Sequence, residues 1–236
     1  MNDYAKYWDK QYLQDYYISK RGSLWDVKIE DSILQDFYLF DGHLDESLPL
    51  LDIGCGIGRI SDFLSKHYDK VLGIDISKRA ISIAKREFQR SGLDFKVMNI
   101  MDKKDHRLIR SSLGNCNIYI RGVLHQLNGA DRSYFIKQLS LLLGKKGKLV
   151  VHEVKEGLQS FLGKGVEQTV DLPTQMKEVF NTQFPPRGMS RELFDGLFEN
   201  PWNQEYFEER QLASNLKLSS GETLYVPSVF AIYSFG

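Results

Sequence analysis

The sequence predicts an α/β fold, a doubly wound and mostly parallel seven-stranded sheet with helices on both faces and an antiparallel last strand. Three observations carry the prediction. Short apolar runs of strand length alternate with stretches of helical period from residue 50 to residue 153, the pattern of repeated β-α units feeding a parallel sheet. The first run ends in alternating glycines, Gly54, Gly56 and Gly58, which let a chain turn sharply from strand into helix. The carboxyl-terminal part breaks the alternation with two long strand-like segments, 202–210 and 226–235, that read as a closing hairpin.

The composition supports one such domain over residues 1–236. At 236 residues and 42% hydrophobic, the chain can fill a sizeable core. Its 31 basic residues balance 31 acidic ones, so the totals carry no electrostatic footprint for nucleic acid or an anionic membrane. Small, roughly neutral partners fit better. Cys55 and Cys116 fall in predicted core elements, where a reduced thiol acts as a small apolar side chain. That usage points to the cytoplasm, as does the absence of an apolar secretory segment at the start; no run is long enough to cross a bilayer. Four regions follow: a helical cover over 1–45, a core over 48–154, an insertion over 155–190, and a closing helix and hairpin over 191–236.

In chain order, the stretch 4–17 sets Tyr4, Tyr7, Trp8, Tyr12, Tyr16 and Tyr17 among charged residues. The spacing of Tyr4, Tyr7 and Trp8 puts them on one helical face. Such a helix packs on the core, covers a ligand, or does both. Arg21, Gly22, Ser23, Leu24, Trp25 and Asp26 read as a turn into a second helix over 27–40, in which Ile29, Ile33, Leu34, Phe37 and Phe40 recur at helical spacing. The first strand, Leu50 with Leu51, Asp52 and Ile53, then meets the glycines. They bring main chain close to a bound molecule, and a helix over 57–66 would direct its N–H groups at it.

A second strand over 70–75 ends in Asp75, about 20 residues beyond the glycines. An acid at that strand tip is where doubly wound folds grip the hydroxyls of a nucleotide ribose. The glycines run G-x-G-x-G, however, not the dinucleotide fingerprint G-x-G-x-x-G. Ser77 caps a crossover helix over 77–90 whose Ala80, Ile81, Ala84 and Phe88 share one side. The third strand, 94–98, runs into Asn99, Ile100, Met101 and Asp102, and the fourth, 115–120, into Arg121, Gly122, Val123, Leu124 and His125.

A helix over 131–143 is stopped by Gly144, and the fifth strand, 148–153, closes on His152 and Glu153. No ligand cluster of recognisable spacing accompanies His125 and His152, so no metal site is expected. Over 155–190 the regular pattern lapses around Gly157, Gly163, Gly165, Pro173 and the run Phe184-Pro185-Pro186-Arg187-Gly188-Met189. A long insertion at this end of a sheet commonly carries substrate choice. Ser190 then caps a short helix bearing Leu193, Phe194, Leu197 and Phe198.

The order Asp52-Ile53-Gly54-Cys55-Gly56-Ile57-Gly58 followed by Gly73-Ile74-Asp75-Ile76-Ser77 resembles the cofactor site of class I S-adenosylmethionine-dependent methyltransferases. The likeness spans roughly 48–154. It implies a Rossmann-like sheet, S-adenosylmethionine as cofactor and S-adenosylhomocysteine as product. It places Asp52 near the cofactor's ammonium, Gly54, Gly56 and Gly58 in the cradle, and Asp75 with Ile76 at the ribose. The family sets an acid after the third strand against the adenine amino group. Here Asn99 stands there, an amide that accepts without charge, with Ile100 to pack on the ring and Asp102 as competitor. Arg121 and Gly122 would touch the methionine part through main-chain groups.

For His125, two roles are open: a base or hydrogen-bond partner for the substrate, or a residue that orients its own loop. Tyr7, Trp8 and Tyr12 would form a lid, and Glu153 and Arg187 would face substrate. The Pro-Pro turn, the Ser-capped helix, the late hairpin and Tyr7-Trp8-Asp9 also resemble thiol and thiopurine methyltransferases. The function expected is methyl transfer to an O, N or S atom of a small organic molecule. Two alternatives are a non-catalytic protein that binds S-adenosylmethionine or a derivative, and an NAD-type oxidoreductase, which wants the wider glycine spacing. A nucleic-acid base methyltransferase wants an Asn/Asp-Pro-Pro-aromatic run after the fourth strand, where Ile120-Arg121-Gly122-Val123 stands.

Overall fold

The structure, a computed structural model, describes residues 2–19, 23, 25–29, 32–158, 160–161, 188–217 and 221–236. Arg21, Gly22, Leu24, Arg187 and most of the predicted insertion, including the Pro-Pro turn, lie outside the described residues.

Helices α1 (Asn2–Ser19) and α2 (Ile33–Phe40) precede β1 (Leu50–Ile53). The β-α alternation continues through α3 (Arg59–Leu64), β2 (Val71–Asp75), α4 (Lys78–Glu87), β3 (Leu93–Val97) and α5 (Lys103–Leu113). It runs on through β4 (Asn117–Arg121), α6 (Gly129–Leu143) and β5 (Leu149–Val154), then a helix here called α7 (Arg191–Leu197), and ends in the hairpin of β6 (Trp202–Lys217) and β7 (Thr223–Phe235). The sheet order is β3-β2-β1-β4-β5-β7-β6. Strands β1 to β5 pair in parallel, and β7 is antiparallel to both β5 and β6. This is the predicted Rossmann-like architecture.

The central strands are buried on both faces because side chains alternate across a sheet. Leu51, Ile53, Ile118, Ile120 and Val151 meet Phe135, Ile136 and Leu139 of α6 on one side. Leu50, Tyr119, Val150 and Ile232 meet Phe37, Phe40, Phe63 and Leu64 on the other. Strand order reverses between β1 and β4, and such a switch point opens a crevice at the carboxyl ends of the strands.

Local signals set the helix starts. Ser77 Oγ accepts from the Ala80 N–H at 3.1 Å, and Ser190 caps α7 in the same way from Leu193. Asp102 accepts from the N–H groups of Lys104 and Asp105 at 2.8 and 3.1 Å. Its carboxylate is therefore committed to capping α5, which corrects its candidacy for adenine. Three predicted helices are shorter, α4 ending at Glu87 instead of residue 90. Helix α2 begins at Ile33 instead of residue 27, because Trp25 and Asp26 are drawn over the crevice. Helix α3 begins at Arg59, because Gly58 adopts φ +87°, a left-handed conformation that stops the helix from starting earlier. The hairpin strands run longer than predicted at both inner ends.

Candidate active site at the carboxyl edge of the sheet

The glycine turn is built by three positions with different neighbours. All three glycines have positive φ, at +74°, +54° and +87°. Gly54 lines the cleft, and a Cβ there would collide with the Val123 side chain of the loop after β4. At Gly56 a Cβ would fall 2.6 Å from Asp26 Oδ1 and 2.7 Å from the Tyr12 hydroxyl, so this glycine admits the amino-terminal segment. At Gly58 it would meet Phe95 and Ala84 at 2.7 and 2.8 Å, the close packing of helix on strand. Only Gly54 of the three borders the cleft directly.

Asp75 Oδ2 accepts from the Gly56 N–H at 3.0 Å and Oδ1 from the Ser77 N–H at 2.8 Å. A carboxylate oxygen that accepts one bond has a second lone pair to offer, and Asp75 lines the cleft. Burial lifts the Asp75 carboxyl to about 6 against these two bonds, with Asp26 and Asp9 adding repulsion. Asp52, beneath the turn, accepts from Ser61 Oγ at 2.5 Å, and burial raises it to about 7, with Asp75 adding to the rise. Cys55 also lines the cleft, but burial and the neighbouring acids push its thiol far up, so it offers no thiolate.

The amino-terminal segment closes one side. Asp9 of α1 accepts from Ser77 Oγ at 2.6 Å and from the Arg79 N–H at 3.1 Å, docking the helix on the start of α4. Tyr4, Trp8 and Tyr12 then line the cleft, whereas Tyr7 does not reach it and stacks edge-on against Trp8 at 5.3 Å. That corrects Tyr7 as a lid residue, since it lies off the face that α1 turns inward. Arg59 donates to the carbonyl of Asp26 at 2.9 Å. Arg121 is nearly buried, donating from Nη1 to the Trp25 carbonyl at 2.8 Å and from Nη2 to the Ala213 carbonyl at 2.9 Å. No described residue accepts from its Nε. Arg121 is among the residues that border the cleft.

Beyond the turn, Ile76, Met98, Ile100 and Met101 form an apolar wall, with the polar Asn99 beside them. Asn99 Oδ1 already accepts from the Met101 N–H at 2.9 Å. Across the cleft, Glu153 is wholly buried and faces neither substrate nor solvent. Its Oε1 accepts from the N–H groups of Val123 and Leu124, each at 2.7 Å, and its Oε2 lies 2.8 Å from His125 Nδ1. Burial works against the charge, yet the His125 bond and these N–H groups outweigh it and hold the carboxyl below its ordinary value. His125 is 0% exposed and is absent from the cleft wall. Burial therefore leaves His125 the loop-orienting role and removes it as a base, and Glu153 is corrected in the same way. The neighbour, Gln126, does line the cleft.

Sequence reasoning read Ser23, Trp25 and Asp26 as a mere turn, and passed over Arg59, Gln126, Leu127 and Phe135, all of which line the cleft. A run with an aromatic and an acid, Trp25 and Asp26, ahead of the second helix was the available signal. Among the described residues no group of three or more His, Cys, Asp or Glu is placed to hold a metal ion. His125 and His152 are each committed to a separate acid. No described helix is long and apolar enough to cross a membrane.

The cleft is open to solvent. A glycine turn at a switch point, an acid with spare lone pairs at the next strand tip, apolar walls for a ring and an orphaned buried N–H donor together fit an adenosyl amino acid.

Comparison with known proteins agrees. Residues 50–147 match the family model described as "Methyltransferase domain". The chain is 30% identical over 140 residues to the ubiquinone biosynthesis O-methyltransferase of Pelagibacter ubique, covering 57% of this chain and 54% of that relative. It thus spans about half the length of that curated relative. A solved S-adenosylmethionine-dependent methyltransferase from Anabaena variabilis superposes with TM-score 0.87 at 26% identity, over 100% of this chain and 94% of that one. The N-methyltransferase NodS from Bradyrhizobium japonicum, solved with S-adenosylhomocysteine, shares the fold at TM-score 0.60 and 15% identity, over 98% and 97% of the two chains. Residues 50–147 thus resemble a methyltransferase domain, and the whole chain is similar in fold to a solved S-adenosylmethionine-dependent methyltransferase.

Proposed function

We propose that the protein moves a methyl group from S-adenosylmethionine to an O, N or S atom of a small organic molecule held in the cleft between α1, the segment 25–27 and the loop after β4. The observation that carries this reading is the Asp75 carboxylate, which lines the cleft beside the glycine turn and whose two oxygens are steadied by the N–H groups of Gly56 and Ser77. Asp75 accepts from the paired ribose hydroxyls, with Ile76 beside it. Ile100 packs on the adenine, and Asn99, one lone pair already used, presents its amide at the ring edge. Gly54 and Gly122 let main chain approach the amino-acid end. Asp52 lies near the ammonium, and the unpartnered Nε of Arg121 meets the carboxylate.

When bound, the cofactor supplies a sulfonium whose methyl group is already activated. The residues of the chain then need to align the acceptor and keep water out. Trp8 and Tyr12 cover the site from α1, and Trp25 closes it from the next segment. Alignment of this kind supplies on the order of 7–11 kcal/mol at its best. Arg187 remains a proposed substrate-side residue on sequence grounds. The named activities of the relatives, at oxygen in one and nitrogen in another, do not choose the acceptor atom here. Balanced charge supports a small acceptor over a nucleic acid, and free buried Cys55 and Cys116 support a reducing, cytoplasmic setting.

Calorimetry with S-adenosylhomocysteine tests the site. Asp75→Ala is expected to weaken binding roughly 10- to 100-fold, the worth of hydrogen bonds to a charged group. Unchanged affinity would remove Asp75 from the ribose. Labelled S-adenosylmethionine with a metabolite extract then separates an enzyme from a non-catalytic binder, because only an enzyme transfers label.

A further inference from the structure

We propose that Tyr4 is the latch of a lid, joining α1 to the start of α6 across the cleft, and that exchange of S-adenosylmethionine for S-adenosylhomocysteine goes through the parting of this latch. The proposal deepens the methyltransferase reading and rests on it for the identity of the ligand.

The two ends of the lid are held differently. Strand order reverses between β1 and β4, so α4, which follows β2, and α6, which follows β4, belong to opposite halves of the sheet. Asp9 fastens α1 to the start of α4, accepting from Ser77 Oγ at 2.6 Å and from the Arg79 N–H at 3.1 Å. Trp8 and Tyr12 pack on that same half, in an apolar cluster with Ile57, Ala80 and Ile83. A short charge-assisted bond at a helix N-terminus, backed by packed rings, makes this side the hinge. Tyr4 reaches the other half. Its hydroxyl donates to Asp131 Oδ2 at 3.2 Å and accepts from the Asn128 N–H at 3.3 Å. Both distances are long for their kind of hydrogen bond, and Asp131 Oδ2 also accepts from Asn128 Nδ2 at 2.7 Å. The fastening that gives way first is therefore the one at Tyr4.

The place of the latch gives it a consequence. Both fastenings are at helix starts, which lie at the carboxyl edge of the sheet where the crevice opens, and Trp8 and Tyr12 line the cleft along with Tyr4. Helix α1 is thus a bar from one half to the other. The Tyr4 ring is buried in the same apolar cluster as Ile100, the residue set to pack on the adenine, and as Phe135 and Ile136 of α6. The latch accordingly closes over the adenosyl end of the ligand, and an adenosyl group held at ribose and ring leaves by lifting α1 about its hinge on α4. Where product release limits turnover, such a latch sets the rate.

Stopped-flow mixing with S-adenosylhomocysteine, read by the fluorescence of Trp8 and Trp25 at the cleft, tests the latch in the full chain. Asp131→Ala removes a carboxylate that does not itself line the cleft. It loosens the latch in free and bound protein alike, so association and dissociation are expected to speed up together, about 3- to 10-fold, with affinity within about twofold. Asp131→Asn, which keeps an acceptor oxygen, should restore the slow rates, a rescue that a merely structural role would not produce. Asp9→Ala frees the hinge, and Trp8 and Tyr12 with it, and should raise dissociation more than association. Rates unmoved by Asp131→Ala, a rise in dissociation alone, or the same response to both alanine variants would each overturn the proposal. Hydrogen exchange on unliganded protein reports separately from the parent reading, because an undocked helix of this length frays in water. Asp131→Ala should speed exchange of amides 6–12 about 3- to 10-fold and leave those of α4 as they are. Should S-adenosylhomocysteine not bind, the parent reading fails; faster exchange at 6–12 would still uphold the latch, and unchanged exchange would overturn it.

Discussion

Two buried histidine–carboxylate pairs stand on consecutive residues of β5 and serve opposite faces of the sheet. Glu153 faces the cleft side and holds His125, Val123 and Leu124. His152, one residue earlier, faces α2, with Nδ1 2.6 Å from Asp36 Oδ2 and Nε2 2.9 Å from Ser228 Oγ. The chemistry is alike and the consequence differs, because the side-chain period of a strand is two. One pair shapes the loop that borders the site. The other ties α2 to β5 and β7. The order Ser228, His152, Asp36 matches that of a hydrolytic triad, yet Ser228 is 0% exposed, so no substrate reaches its oxygen. A relay of hydrogen bonds marks a site only where it ends at a cavity.

The contrast can be broken most sharply at Glu153. Glu153→Ala strands three N–H groups and the His125 ring, and is expected to cost about 3–5 kcal/mol of stability, lowering Tm by roughly 6–20 °C. Loss of binding to S-adenosylhomocysteine should accompany it, read by urea unfolding and calorimetry on one preparation. A fall of well under 1 kcal/mol would deny the loop its dependence on this carboxylate.

On the opposite face the expected effect is smaller and different in kind. His152→Phe removes the link between Asp36 and Ser228 while keeping a ring against Phe230. It should cost about 1–3 kcal/mol, the penalty for stranding buried polar groups. Affinity for S-adenosylhomocysteine should stay within about twofold. A large loss of affinity would show that the two faces are coupled.

A third effect concerns protons. Asp52, at about 7, and Asp75, at about 6, are raised by burial, whereas Glu153 is held low. A raised carboxyl keeps its proton in the folded protein after the unfolded chain has lost it. The unliganded fold is therefore expected to lose stability as pH rises from about 4 to about 7. Glu153 behaves in reverse, its contribution being present above about 4.3 and lost only as pH falls through its lowered value. A cationic cofactor favours ionised acids, so S-adenosylmethionine should bind about tenfold tighter near pH 8 than near pH 5, releasing protons. Calorimetry in two buffers of different ionisation enthalpy counts them. Affinity independent of pH would mean that neither acid faces the positive charge.

Much of the fold and part of the site were legible in the chain, and the boundary is physical. Alternating strand and helix periods, the left-handed turn at Gly54, Gly56 and Gly58, the acid at the end of β2 and the caps at Ser77 and Ser190 are local matters of backbone conformation and nearest neighbours. The sequence by itself determined those. Tertiary structure alone decided that Gly56 and Gly58 face protein instead of the cleft, that Asp26 and Trp25 arrive over the turn, and that His125 is sealed away while Gln126 reaches the wall. Each depends on contacts between residues far apart in the chain, such as Gly56 with Asp26, Gly58 with Phe95, and His125 with Glu153. No local pattern records such contacts, since they exist only once the sheet has brought the separate strand ends to one edge.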